Sequence, residues 1–177
     1  MMRTIRLHRK QGFSIIELTT ALVLVFIIAL MITPTLQSIV FWSRIRNDVS
    51  NLELVIHKTM GQSVARGAAG RLRIENGTLI GEVQLPDATF ELVDSHTPVF
   101  GAFGRNQTNE TPWLNISDLD PSSFTDDTAT INGMGMVVAP GGVFFLNYQG
   151  NEAAIELLPT GMVVTHFQRA GSDIWSQ

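Results

Sequence analysis

No cysteine occurs among the 177 residues. That excludes disulfides and thiolate metal sites, so any exported domain must take its stability from packing. Histidines are too few and too scattered for metal-ligand spacing: His8 lies in a basic leader, His57 on a helical stretch, His96 in a turn and His166 in a strand. His166 alternates with Val164 and Gln168 and reads as a strand residue rather than a ligand. No glycine-rich loop opens a helix; Gly133-Met134-Gly135 leads into a strand, where it relieves packing or makes a bulge. With no catalytic constellation, the chain reads as a non-enzyme that needs no cofactor. Basic residues are also scarce. From residue 67 onward Arg71, Arg73, Arg105 and Arg169 stand against 13 acidic residues, a net of −9. Such a field repels phosphate backbones and argues against a nucleic-acid surface.

What the chain does have is concentrated in residues 10–34: Lys10-Gln11-Gly12-Phe13-Ser14-Ile15-Ile16-Glu17-Leu18, then an almost unbroken apolar run to Ile32. As a helix, the 20 residues 13–32 span about 30 Å, the thickness of a bilayer's hydrocarbon core. Arg3, Arg6, Arg9 and Lys10 precede the run, and such charges stay cytoplasmic, so the remainder is exported. Glu17 interrupts the run, and an acid there costs roughly 2.5–3.5 kcal/mol unless a partner satisfies it. No Lys or Arg lies between Phe13 and Phe41. A cut between Gly12 and Phe13 would supply the cation, a free ammonium one helical turn from Glu17 on the same face. Because that cut precedes the apolar run, the anchor is retained, unlike that of an ordinary secretory signal.

The basic leader, Gly12, Phe13, Ser14-Ile15-Ile16, Glu17, the long apolar helix start and Pro34 together resemble a type IV prepilin N-terminus with a class III signal peptide. The resemblance implies removal of residues 1–12 by a prepilin peptidase, methylation of the new amine on Phe13, and polymerisation into a helical filament. It also implies that Glu17 neutralises the terminal amine of a neighbouring subunit. Expected partners are other pilin or pseudopilin subunits, the peptidase, an inner-membrane assembly platform, and lipid before assembly.

Pro34 sits inside the helical pattern, where a kink or local unwinding is expected near residues 31–33. Beyond it, through residue 66, Ile39, Trp42, Ile45, Val49, Leu52, Ile56 and Met60 recur at spacings of three and four among charged residues, an amphipathic helix that holds a head domain. Trp42 suits either the lipid interface or a neighbouring subunit. Gly67 and Gly70 end the helix. The head, residues 67–177, reads as an antiparallel sheet. Strands are expected at 71–75 and 78–85 around the Asn76-Gly77 hairpin turn, then at 89–94 and 98–103. Residues 104–130 read as a long polar surface loop with a short turn near 118–124. In it Asp118, Asp120, Asp126 and Asp127 offer oxygen ligands for Ca²⁺, but at no EF-hand spacing, so a solvated acidic loop is favoured and no metal is assigned. A meander follows at 136–139, 143–148, 153–158 and 162–168, punctuated by Pro140-Gly141-Gly142, Gly150-Asn151 and Pro159-Thr160-Gly161.

The hairpin at 154–164 resembles that of minor pilins and pseudopilins of the GspH/FimT group. Absent cysteines depart from the disulfide-closed loop common in major pilins, and Glu17 departs from the tip pseudopilin that lacks this acid. The reading is therefore α+β and pilin-like: a structural subunit, either a minor pilin or a type II secretion minor pseudopilin. The alternative is a tip binding module, an adhesin or DNA-capturing pilin. DNA capture wants a basic C-terminal stretch, where this chain offers only Arg169 against Asp173. Ile174-Trp175 reads equally as an interaction patch or as packing of the last strand.

Overall fold

The computed structural model describes residues 14–105, 122–138, 141–170, 172 and 174–176; within its helix, the side chains of residues 31–38 lie outside the description. The chain forms two compact units, Met1–Trp42 and Ser43–Gln177. One helix, α1 (Ile15–Arg66), precedes all the strands. The helix assignment runs unbroken through Pro34, where a kink or local unwinding was expected.

In the first unit the large apolar side chains of residues 15–30 are exposed, from 43 % at Ile27 to 81 % at Ile15, on every side of the helix. Phe41 and Trp42 meet edge to face, with centroids 6.3 Å apart. Among the described residues no helix is long and apolar enough to cross a membrane.

In the second unit the expected stripe holds from Ile45 onward. Ile45, Val49, Leu52, Ile56 and Met60 are buried, joined by Val55. Thr59 and Ser63 are buried too, each hydroxyl donating to the carbonyl four residues back, at 2.8 and 2.9 Å. These small residues let the backbone of the sheet approach closely: a Cβ on Gly81 would collide with Thr59, and one on Gly70 with the Ser63 hydroxyl.

The head is α+β with antiparallel β-structure, as expected, and among the described residues its nine strands make two sheets. The first, in the order β3-β2-β1-β5, comprises β1 (Gly70–Glu75), β2 (Thr78–Gln84), β3 (Phe90–His96) and β5 (Thr128–Ile131). The second, β4-β6-β7-β8-β9, comprises β4 (Ala102–Phe103), β6 (Gly142–Tyr148), β7 (Asn151–Leu157), β8 (Val163–Gln168) and β9 (Trp175–Ser176). Asn76 and Gly77 form the β1–β2 turn with φ of 51° and 73°, the left-handed pair that a two-residue hairpin requires. At the β6–β7 turn the left-handed pair is Gln149-Gly150 rather than Gly150-Asn151, because Asn151 already pairs with Tyr148.

Three other expectations are corrected. Residues 128–130, assigned to the loop, belong to β5, whose Ala129 and Ile131 are buried and whose register runs Gly70↔Ile131 to Arg73↔Thr128. Residues 136–138 form no strand. The Asn132 side chain accepts from the Met134 and Met136 amides at 2.9 and 3.0 Å, folding the chain into a tight return with a single bridge, Ile131↔Val137; residues 139 and 140 lie outside the described residues. Of 98–103 only Ala102–Phe103 pairs as a strand, because the Val99 and Phe100 amides donate to a helix carboxylate instead.

Candidate functional site

The N-terminal end of α1 is the first candidate. Gly12 and Phe13 lie outside the described residues; Ser14 and Glu17 do not. The Ser14 hydroxyl accepts from the Ile16 amide at 3.3 Å, and Glu17 Oε2 accepts from the Ser14 amide at 3.1 Å. The pair is a variant of the capping box, with the hydroxyl on the amide of the second helical residue rather than the third, and satisfies two donors that a helix start leaves open. Sequence reasoning assigned Glu17 an ammonium partner and missed this one, although Ser-x-x-Glu before an apolar run is a readable signature. Thr19 and Thr20 turn their hydroxyls back onto the Ile16 carbonyl, at 3.0 and 2.7 Å. The Ser14, Ile16 and Leu18 amides and the Thr19 and Thr20 hydroxyls thus find partners within the first turns of the helix. What remains is an exposed apolar rod with one carboxylate near its start.

The second candidate is a buried polar cluster where the helix of the second unit meets the β3–β4 connection. Asp48 is fully buried, and its two oxygens accept from the amides of Val99 and Phe100 at 3.2 and 2.9 Å. His96 Nε2 lies 3.7 Å from the same carboxylate. His96 ends β3 rather than occupying a turn. The Tyr148 ring packs against Gly101, where a Cβ would overlap it. Burial, reinforced by the Asp48 charge, pushes the Tyr148 phenol well above its usual range. The place of Asp48 was legible: it falls between Ile45 and Leu52 on the apolar stripe, where a solvated charge has no room. Backbone amides, common partners of buried carboxylates, explain how it is tolerated.

Around the head, ion pairs fix the elements. Lys58 on α1 meets Asp94 on β3 at 2.6 Å and holds its carboxyl below the usual range. Arg66 meets Glu91 at 2.5 Å, and the Glu53 carboxylate accepts from the Thr165 hydroxyl. On the first sheet Glu82 takes Arg71 at 2.6 Å and Arg73 at 3.1 Å. Burial raises the Glu82 carboxyl, but the hydrogen bonds from Arg73 and Arg71 outweigh it and leave the pKa lowered. Arg71 also stacks on Phe90, 3.8 Å from the ring centroid. On the second sheet Arg105 lies 3.5 Å from Glu152, both fully buried, and His166 Nε2 is 3.0 Å from Glu156.

Asp118 and Asp120 lie outside the described residues, while Asp126 and Asp127 sit in a one-turn 3-10 helix, Thr125–Asp127, where Asp127 accepts from the Ser122 hydroxyl at 2.8 Å. Among the described residues no group of three or more His, Asp or Glu is placed to hold a metal. His57 is exposed on α1. Trp175 packs on Val143, Phe145 and Ala154, whereas Ile174 is 77 % exposed.

No family model matches the chain, and no curated protein matches it in sequence. Among solved structures, the type IV minor pilin FimU of Pseudomonas aeruginosa is similar in two crystal forms. One is 10 % identical, covers 75 % of this chain and 92 % of that one, and has a TM-score of 0.49. The other is 9 % identical, covers 72 % and 94 %, and has the same score.

Proposed function

We propose that this chain is a structural subunit of a type IV pilus-like filament, a minor pilin or a type II secretion minor pseudopilin, stored in the inner membrane with its head exported. The observation that carries this is the pairing of the Gly12-Phe13 junction and Glu17 with a helix start whose apolar side chains are exposed on every side. A helix apolar all round is unstable in water and must be covered by lipid or by other helices. A filament core offers the second cover, so leaving the membrane roughly conserves burial. Peptidase cleavage after Gly12 frees the Phe13 amine, which is then methylated. Glu17 neutralises the amine of an adjoining subunit, fixing register in a place where an unpaired charge is costly. The outer part of α1 and the two sheets form the filament's shell or tip. The acidic head, with Arg169 as the only basic residue after Arg105, disfavours the DNA-capturing alternative.

The test is co-expression with a prepilin peptidase. Intact mass is expected to show loss of residues 1–12 from the natural chain and none from a Gly12→Leu variant. Processing of that variant, or none of the natural chain, would overturn the assigned cut.

A further inference from the structure

Resting on the membrane-stored reading above, we propose that the Val99-Phe100 loop together with Arg44 and Arg46 is a foot on which the head stands against anionic lipid headgroups before assembly. Three observations converge on it. The first is exposure of large apolar side chains on a loop that is held rather than free. Val99 is 70 % exposed and Phe100 45 %, yet the amides of both are pinned by the buried Asp48 carboxylate at 3.2 and 2.9 Å. The Asp48 bonds fix the loop's backbone, so the side chains point outward without the entropy that a mobile loop would lose on binding.

The second observation is charge. Asp48 is the one acid among residues 43–52, and it is buried, so this segment shows solvent only the charges of Arg44 and Arg46. Both arginines are exposed and neither has an acidic partner among the described residues. The Arg44 guanidinium lies 4.9 Å from the centroid of the Phe100 ring, joining the basic and apolar parts of the surface. The contrast with the rest of the head, at −9 from residue 67 onward, is large. An apolar tip flanked by arginines is the chemistry of the bilayer interface, where rings enter the headgroup layer and cations meet anionic lipid.

The third observation is length. Within the first unit, helical residues 15–42 rise about 42 Å, which matches the 40–45 Å of a bilayer including its headgroups. A chain that crosses with this segment emerges at its end, and Arg44 follows two residues later.

The test uses the full chain in nanodiscs holding one copy, made of phosphatidylcholine alone or mixed with phosphatidylglycerol. Because the protein has no cysteine, single nitroxide labels can be attached at Leu24→Cys, Val99→Cys or Met134→Cys. Collision rates with oxygen and with a water-soluble nickel chelate report depth. The label at 24 is expected in lipid in both discs, that at 134 in water in both, and that at 99 shifted toward lipid only with phosphatidylglycerol. Neutralising both arginines, Arg44→Gln with Arg46→Gln, is expected to lower the docked-to-free ratio about thirtyfold. A label at 99 as wet as that at 134, with 24 still in lipid, overturns the foot and leaves the membrane reading standing. A wet label at 24 overturns both. Shielding of 99 only in discs with several copies assigns the surface to a neighbouring head and overturns the lipid proposal.

Discussion

At the scale of single residues, two carboxylates set the head's tolerance to change. Asp48 is buried and serves two backbone amides at once. Asp48→Ala leaves both donors without an acceptor inside the protein, at an expected cost of about 2–3 kcal/mol; Asp48→Asn keeps one acceptor and costs less. Hydrogen exchange on the full chain is the measurement, with faster exchange expected at residues 97–101 and unchanged exchange there contradicting the role. Glu82 acts through its charge. Its carboxyl is lowered from the ordinary value of 4.5 by Arg73 and Arg71 against the opposing effect of burial. An unfolded chain therefore binds that proton first as pH falls, so the stabilisation is whole above about pH 4.5 and is lost as pH drops through the folded value. Glu82→Gln is expected to cost about 1 kcal/mol at neutral pH, since both arginines are partly solvated, and to flatten the acid limb of the stability profile. An acid limb identical to that of the natural chain would exclude this pair as its source.

At the scale of elements, what was legible depended on how local the determining interaction is. The amphipathic stripe from Ile45 to Met60 and the Asn76-Gly77 turn are written in residues close in sequence, and both appear where expected. β5 was hidden because four residues, Thr-Ala-Thr-Ile, become a strand only by pairing with β1, about 58 positions earlier. The shortness of β4 has the same origin, since Asp48 on α1 captures the amides that would otherwise have extended it. Division of the head into two sheets is likewise a matter of long-range pairing that no local pattern encodes. At the start of α1 the capping contact gives Glu17 a role in helix stability that is separable from the charge pairing proposed above. Glu17→Gln keeps a side chain able to cap and removes the charge, whereas Glu17→Ala removes both. Both variants are expected to be cleaved normally yet to enter filaments poorly, with only the alanine variant showing added fraying of the first turn by hydrogen exchange. Normal incorporation of Glu17→Gln would show that capping, not charge, is what assembly requires.

At the scale of the whole molecule, the chain combines parts with incompatible solvent needs. One is a helix start exposed on all sides and almost wholly apolar; the other is a head with a packed core and an acidic surface. Lipid and a filament core are the two environments that satisfy the first while leaving the second in water. Gly12, Phe13 and Glu17, on which the proposed function rests, are read from the sequence alone, where a glycine-phenylalanine step ahead of an apolar run and a lone acid within it are local signals. The foot at Val99 and Phe100 was not legible there, because its exposure and its anchoring both follow from tertiary contacts with α1. The most direct measurement is the intact mass of this chain recovered from sheared surface filaments and, separately, from inner membranes of the same cells. A mass beginning at methylated Phe13 in the filament fraction is expected of a pilin, and the processed mass confined to the membrane fraction is expected of a short pseudopilus. Retention of residues 1–12 in both fractions would contradict the account and leave the chain a plain membrane anchor bearing an exported head.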